Sequence, residues 1–325
     1  MIWVIAIVVC LFVLILAGIL WMALSKPAAR TEARKEHRIE TPVETPVETL
    51  SEIRLEPLKT PPPPVFAYPQ LPPKKYFLGL LCVAKNEAMV IGEFVQHYIE
   101  QGVEHMYVID NGSTDDTKVV LEPHIATGFV SYFYVPETMS QRSSYNTVYK
   151  NHARDECDWL MVNDVDEYVF GVSKPFKSIL KLELSGCKYL NVQMLNFGSS
   201  GHDLQPPSIR RDFTLRNAED APVNESHIAN TKVTFKTASV DYLDIHTHMY
   251  EGKIYDVPDT LVRLNHYTIM SKEYWQKIKM TRSDAVYGNT TKIRDMAMFN
   301  RIDEFANIED NTLKGFVISG YTQTQ

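Results

Sequence analysis

Three carboxylates crowd into four positions of one stretch, Asp158-Trp-Leu-Met-Val-Asn-Asp-Val-Asp-Glu167, where Asp164, Asp166 and Glu167 follow the apolar run Trp159 to Val162. An apolar run of that length reads as a strand buried on both faces, as in a parallel sheet. If the extended conformation continues past the run, Asp164 and Asp166 project to one side and Val165 to the other. Two carboxylates on one side of a strand end can hold a divalent cation. That end is also where open α/β sheets bind ligands. A lone Asp-X-Asp is more often a solvated acidic turn, so the weight falls on the elements around it.

Those elements run in regular alternation. Tyr76 to Ala84 is a β-prone run that ends at Lys85-Asn86-Glu87. Met89 to Gln101 carries Val90, Ile91, Phe94, Val95 and Tyr98 at helical spacing and stops at Gly102. His105 to Asp110 is a second strand, and Asn111 to Thr117 is a turn leading into helix-capping residues. A helix over Lys118 to Ile125, a strand over Phe129 to Val135 and a helix over Ser143 to Cys157 then deliver the strand at Trp159. The alternation implies an α/β fold, a mostly parallel sheet flanked by helices with right-handed crossovers. Asn86 and Glu87, Asp110 and Asn111, and Asp164 and Asp166 then share one sheet edge. Asp110 there can accept hydrogen bonds from a ribose hydroxyl or a base N–H. No Gly-rich phosphate loop follows the first strand, so a bound diphosphate needs a metal, which Asp164 and Asp166 could hold.

Three blocks carry a resemblance to a known family: Val83-Ala-Lys-Asn-Glu87, Gly102 to Asp115, and Trp159 to Glu167. In this order they look like the signature blocks of GT-A-type nucleotide-sugar glycosyltransferases, with a Rossmann-like sheet. The chain most resembles glycosyltransferase family 92 and its family-2-like relatives, over about residues 76 to 285. The resemblance implies a metal-dependent, inverting transfer from a nucleotide sugar, a UDP-sugar by expectation, to a hydroxyl of a glycan, glycoprotein or glycolipid. It implies Mn²⁺ or Mg²⁺ on Asp164 and Asp166. It also implies that Asp110 and the residues around Asn86 hold the nucleoside, and that the region of Gln141, Arg142 and Tyr145 contacts the base.

The second half is less regular. Tyr189 to Leu195 and Lys232 to Lys236 read as strands, and Pro206 to Ser226 as loop. In Asp244-Ile-His-Thr-His-Met249, strand alternation puts His246 and His248 on one face as candidate metal or phosphate ligands. Two surface imidazoles on an edge strand are the plainer reading. Val262-Arg-Leu-Asn-His-Tyr267 and the basic helix over Lys272 to Arg282 resemble the family's closing motif, which implies that His266 completes the metal or diphosphate site. The family often has Lys where Met270 stands and Gly where Ser283 stands; a phosphate-contacting lysine would then have to be Lys272 or Lys277. Glu167, Asp241 and Asp244 are the rival general bases, and the residues alone do not choose among them.

Composition sets the frame. The 325 residues carry net charge −7, with the acidic excess beyond residue 75 and no basic stripe, which argues against nucleic-acid binding. Ile2 to Leu24 is almost wholly apolar and long enough for a bilayer core of ~30 Å, so residues 1–25 are expected to be a retained transmembrane anchor. Residues 26–75, with Thr41-Pro-Val-Glu-Thr-Pro-Val-Glu48 and Pro61 to Pro64, are expected to be an extended stalk. A single-pass chain with either a lumenal (Golgi or ER) or a cytosol-facing domain at 76–325 follows; the basic residues after the span favour the cytosol, but a large domain can translocate against them. The four cysteines show neither a disulfide framework nor zinc spacing. The competing reading is a membrane-tethered glycan-binding or scaffold module that kept the fold and lost the catalysis.

Overall fold

The apolar runs form the strands that periodicity predicts, because a residue with neighbours on both sheet faces gains from being apolar throughout. The structure is a computed structural model and describes residues 73–137, 141–218, 231–244, 249–250, 252–282 and 294–315. The expected anchor and almost all of the stalk lie outside these residues, as do His246 and His248. Among the described residues no helix is long and apolar enough to cross a membrane.

Strands β1 (Tyr76–Ala84), β2 (His105–Asp110), β3 (Val130–Tyr134) and β4 (Cys157–Val162) are mutually parallel in the order β3-β2-β1-β4. Helices α1 (Ile91–Glu100) and α2 (Thr117–Ala126) make the first two crossovers. The third is α3 (Gln141–Val148), continued by a π-helical turn at Tyr149–Ala153 and a last turn at Arg154–Glu156. The register aligns Ala84 with Asp110 and Asp110 with Tyr134, whereas β4 ends at Val162, level with Leu81. Burial is complete on β2 and nearly so on β1 and β4, which explains the apolar runs at their centres.

Beyond β4 the sheet becomes mixed. Strand β5 (Glu167–Gly171) follows, then α4 (Phe176–Leu182), β6 (Tyr189–Asn196), β7 (Leu215–Arg216), β8 (Thr231–Lys236), β9 (Val240–Tyr242), β10 (Met249–Tyr250), β11 (Tyr255–Asp256) and β12 (Val262–His266). The path continues β4-β8-β6-β12-β5, with β8 antiparallel to both neighbours, β12 parallel to β6, and β5 antiparallel to β12. Four residues, 163–166, join β4 to β5, a reach of at most ~17 Å. The sheet therefore curls to bring its far edge back beside the end of β4. Helices α5 (Lys272–Lys277) and α6 (Met296–Glu304) close the chain, and β13 (Ile308–Glu309) pairs with β7. The segment 206–226, expected to be loop, contains a short helix at Ile209–Asp212 and β7. Ser208 caps that helix and Glu93 of α1 binds its first turn.

Candidate active site

The expectation that extended backbone carries Asp164 and Asp166 onto one side is corrected here. The chain turns at once: Glu167 N–H donates to Asp164 O at 3.0 Å, and Asp164 N–H donates to Glu167 Oε2 at 2.9 Å. The turn leaves β4 beside β1, three residues short of that strand's end, because Asn163 N–H donates to Leu81 O at 3.2 Å. Its carboxylates differ in surroundings. The Asp164 side chain keeps 37% exposure, while Asp166 and Glu167 are buried.

Each carboxylate has a cation. Lys232 on β8, itself buried, lies 3.3 Å from Asp164 Oδ2 and 3.0 Å from Glu167 Oε2. Burial opposes its charge, but those two carboxylates hold its ammonium above the ordinary lysine value. Lys279 Nζ donates to Asp166 Oδ2, and His266 Nε2 lies 3.8 Å from the same oxygen, an ion-pair contact longer than a direct hydrogen bond. Burial alone would raise Asp166, yet Lys279 and His266 together hold it well below the carboxylate range. Glu167 behaves oppositely: burial pushes it up to about 7 despite Lys232. His266 is drawn above the usual histidine value because Asp166 and Glu167 outweigh its burial.

Strand register explains how His266 arrives. It is the last residue of β12, paired with Asn196 on β6 and with Glu167 on β5, so three strand ends meet at one level. Tyr267 N–H donates to Asp166 O at 2.9 Å and locks β12 to the turn. His266 Nδ1 faces Asn196 Oδ1 at 3.0 Å, which directs Nε2 toward the carboxylates.

The residues assigned to donor binding are brought to the same edge, with their side chains largely engaged. Asp110 is buried, and its oxygens accept from Ser113 N–H and Tyr132 O–H, each at 2.6 Å. The contact with Ser113 shapes the 111–117 loop. Asn86, at φ 54°, accepts Thr114 N–H at 2.7 Å and so joins the two loops. Asn111 donates to Val135 O and Glu137 O, each at 2.8 Å. Glu87 is buried, accepts from Tyr274 O–H, and pairs with Arg282 at 2.6 Å. Arg282 further donates to Lys85 O, so residues 279–282 strap across the ends of both β1 and β4.

Gln141 and Arg142 open α3 on this edge, since α3 runs back toward the start of β4. Gln141 bonds Tyr145 Oη at 3.4 Å, and Tyr145 is raised by burial and then by Asp164. Arg142 pairs with Asp244 at 2.9 Å. Asp241 is removed from the list of bases: it is 90% exposed and pairs with Arg154, just before β4 begins, a strand length of roughly 17 Å from the turn. Lys272 and Lys277 also fall away, because Lys272 pairs with Asp203 and Lys277 with Glu273. Sequence reasoning missed Lys232 and Asn196 and passed over Lys279. Alternation on β8 would have put Lys232 on the same face as Thr234, but nothing local pointed to the turn.

The sequence model of glycosyltransferase family 92 matches residues 81–307. The chain belongs to glycosyltransferase family 92. The matched span of this family 92 chain includes the β1 loop, the carboxylate turn, Lys232, His266 and Lys279. A family 92 protein of Oryza sativa subsp. japonica is 24% identical over 271 residues, covering 77% of this chain and 45% of that protein. One of Ricinus communis is 24% identical over 221 residues, covering 66% and 39%. The chain thus spans less than half the length of either relative. Among solved structures, S. aureus TarS residues 1–349 in complex with UDP is similar at 17% identity, TM-score 0.35, covering 50% of this chain and 47% of that one. The mannosyltransferase PcManGT from Pyrobaculum calidifontis, in complex with GDP-Man and Mn²⁺, is similar at 14% identity, TM-score 0.31, covering 50% and 45%.

Proposed function

We propose that this chain is a metal-dependent glycosyltransferase that moves a sugar, with inversion, from a nucleotide-sugar donor of the UDP class to a glycan or glycoconjugate hydroxyl. The observation that carries the reading is the approach of His266 to Asp166, at 3.8 Å, on the turn that also bears Asp164, in a family 92 chain. Carboxylate oxygens with an imidazole nitrogen are a donor set suited to Mn²⁺ or Mg²⁺. Among the described residues no three such side chains are already gathered as a cage. The two carboxylates are instead held by ammonium groups, Asp164 by Lys232 and Asp166 by Lys279, so the chemistry of the donor set fits the ion while the present partners of its carboxylates are lysines. Asp164, Asp166 and His266 would hold the ion, which when bound supplies positive charge against the leaving diphosphate.

The chain's own groups do the rest. Lys232 fixes the spacing of Asp164 and Glu167 from a central strand. Glu167, buried and bonded to Asp164 N–H and Lys232, acts as a positioning residue for the turn. Gln141, Arg142 and the 86–87 and 110–111 loops line the side left for the nucleoside. Asp244, turned toward α3 by Arg142, stays as the candidate base. Turnover of UDP-sugars with Mn²⁺ and with chelator tests this: Asp166→Asn and Asp164→Asn are expected to lose at least about a hundred-fold in kcat/KM. Wild-type rates in both variants would refute the metal site. A second reading, a glycan-binding module without catalysis, is favoured by the ion pairing of every carboxylate in the turn; glycan binding with no nucleotide affinity would support it.

A further inference from the structure

We propose that Lys279 is a resident counter-ion for Asp166, one that leaves when a divalent cation enters and stays in place when none is bound. The inference rests on the metal reading above. Asp166 is buried, and a buried carboxylate without a cation is strongly unfavourable. A chain that must fold before it loads an ion therefore needs a substitute charge. Lys279 supplies it, and it does so on Oδ2, the same oxygen that His266 Nε2 faces. An ion held between Asp166 and His266 competes for the atom Lys279 now occupies.

The two lysines at the turn are not equivalent. Lys232 projects from β8, which is hydrogen-bonded to a strand on each side, and it bridges two carboxylates. Lys279 sits in a single 3₁₀ turn, Lys279–Thr281, on a flexible four-carbon stem. It also has a second place to rest. The Tyr274 ring centroid lies 5.9 Å from Nζ, within cation–π range, so the ammonium keeps a partner after releasing Asp166. Charge balance favours the exchange: three carboxylates face two ammonium groups and His266, and a divalent ion added without a departure would leave the site with excess positive charge.

The test is Mn²⁺ affinity of the full chain without donor, read by paramagnetic resonance of the free ion, so that activity plays no part. Lys279→Gln is expected to bind Mn²⁺ roughly ten-fold or more tightly than wild type, because the competing pair is gone. Lys279→Arg, which keeps the charge and can pair with Asp166 through two N–H groups, is expected to bind it more weakly than wild type. Lys277→Gln, on the exposed neighbouring pair, should match wild type. If both Lys279 variants bind as wild type does while Asp166→Asn loses binding, the exchange is wrong and the cation site stands. If none of the proteins binds Mn²⁺, both fall. Should Lys279→Gln fail to fold without metal, Lys279→Arg alone decides, since unchanged affinity there overturns the proposal.

Discussion

Asn196 decides which nitrogen of His266 faces the carboxylates. Its Oδ1 sits 3.0 Å from Nδ1 and also accepts from Thr268 O–H at 3.3 Å, so the imidazole gives its Nδ1–H to Asn196 and turns Nε2 inward. Partners of this kind set ligand basicity and orientation. Asn196→Ala is therefore expected to weaken Mn²⁺ binding by roughly ten- to a hundred-fold while far-ultraviolet circular dichroism stays unchanged. An unaltered affinity would show that β12 alone orients the ring. At this scale the carboxylates and His266 were legible because their types and spacing are unusual. Lys232, Asn196 and Lys279 were not, since each lies 30 or more residues beyond Asp166 and looks ordinary in its own stretch.

At the scale of elements, the parallel half was legible to within a few residues because β1, β2 and β4 are largely apolar runs and the first helix carries its apolar residues at helical spacing. Strand β5 was not. Glu167 reads as one more acid in the cluster, and a two-residue change of direction at Val165 and Asp166 leaves no mark in hydropathy. What fixes β5 is tertiary: pairing with β12, and close packing at Gly171. A Cβ at Gly171 would lie 2.2 Å from Lys174 O and 2.5 Å from Ile179 Cδ1. Gly171→Ala is expected to cost about 1–3 kcal/mol in urea unfolding, because backbone cannot give way there. Gly186→Ala, with open space around it, should cost far less. Equal losses would mean that packing at the β5 end is loose.

At the scale of the molecule, the site depends on a core that carries its own pH response. His97 of α1 is fully buried, its Nε2 2.8 Å from Val169 O on β5. Burial, with Arg210 adding to it, lowers its imidazole to about 3. The unfolded chain therefore binds a proton between about pH 6.5 and 3 that the folded chain refuses, so stability falls as pH drops through that window. The thermal midpoint is expected to fall more steeply from pH 6.5 to 4.5 in wild type than in His97→Gln. Parallel curves would remove His97 from the account. The overall curl of the sheet was beyond the sequence because it follows from which strands pair across long intervals, and β8 lies about 70 residues from the strand it joins.

One consequence lies in the register of β1 against β4. Ala84 and Asp110 end level with each other, but Val162 ends level with Leu81, three residues lower, a drop of ~10 Å at the strand rise. The sheet edge is a stair with one tread at the loops of Asn86 and Asn111 and a lower one where the acidic turn begins. An elongated ligand lying across both treads must tilt or bend to follow them. Its two ends are thereby told apart by height alone, before any side chain recognises either.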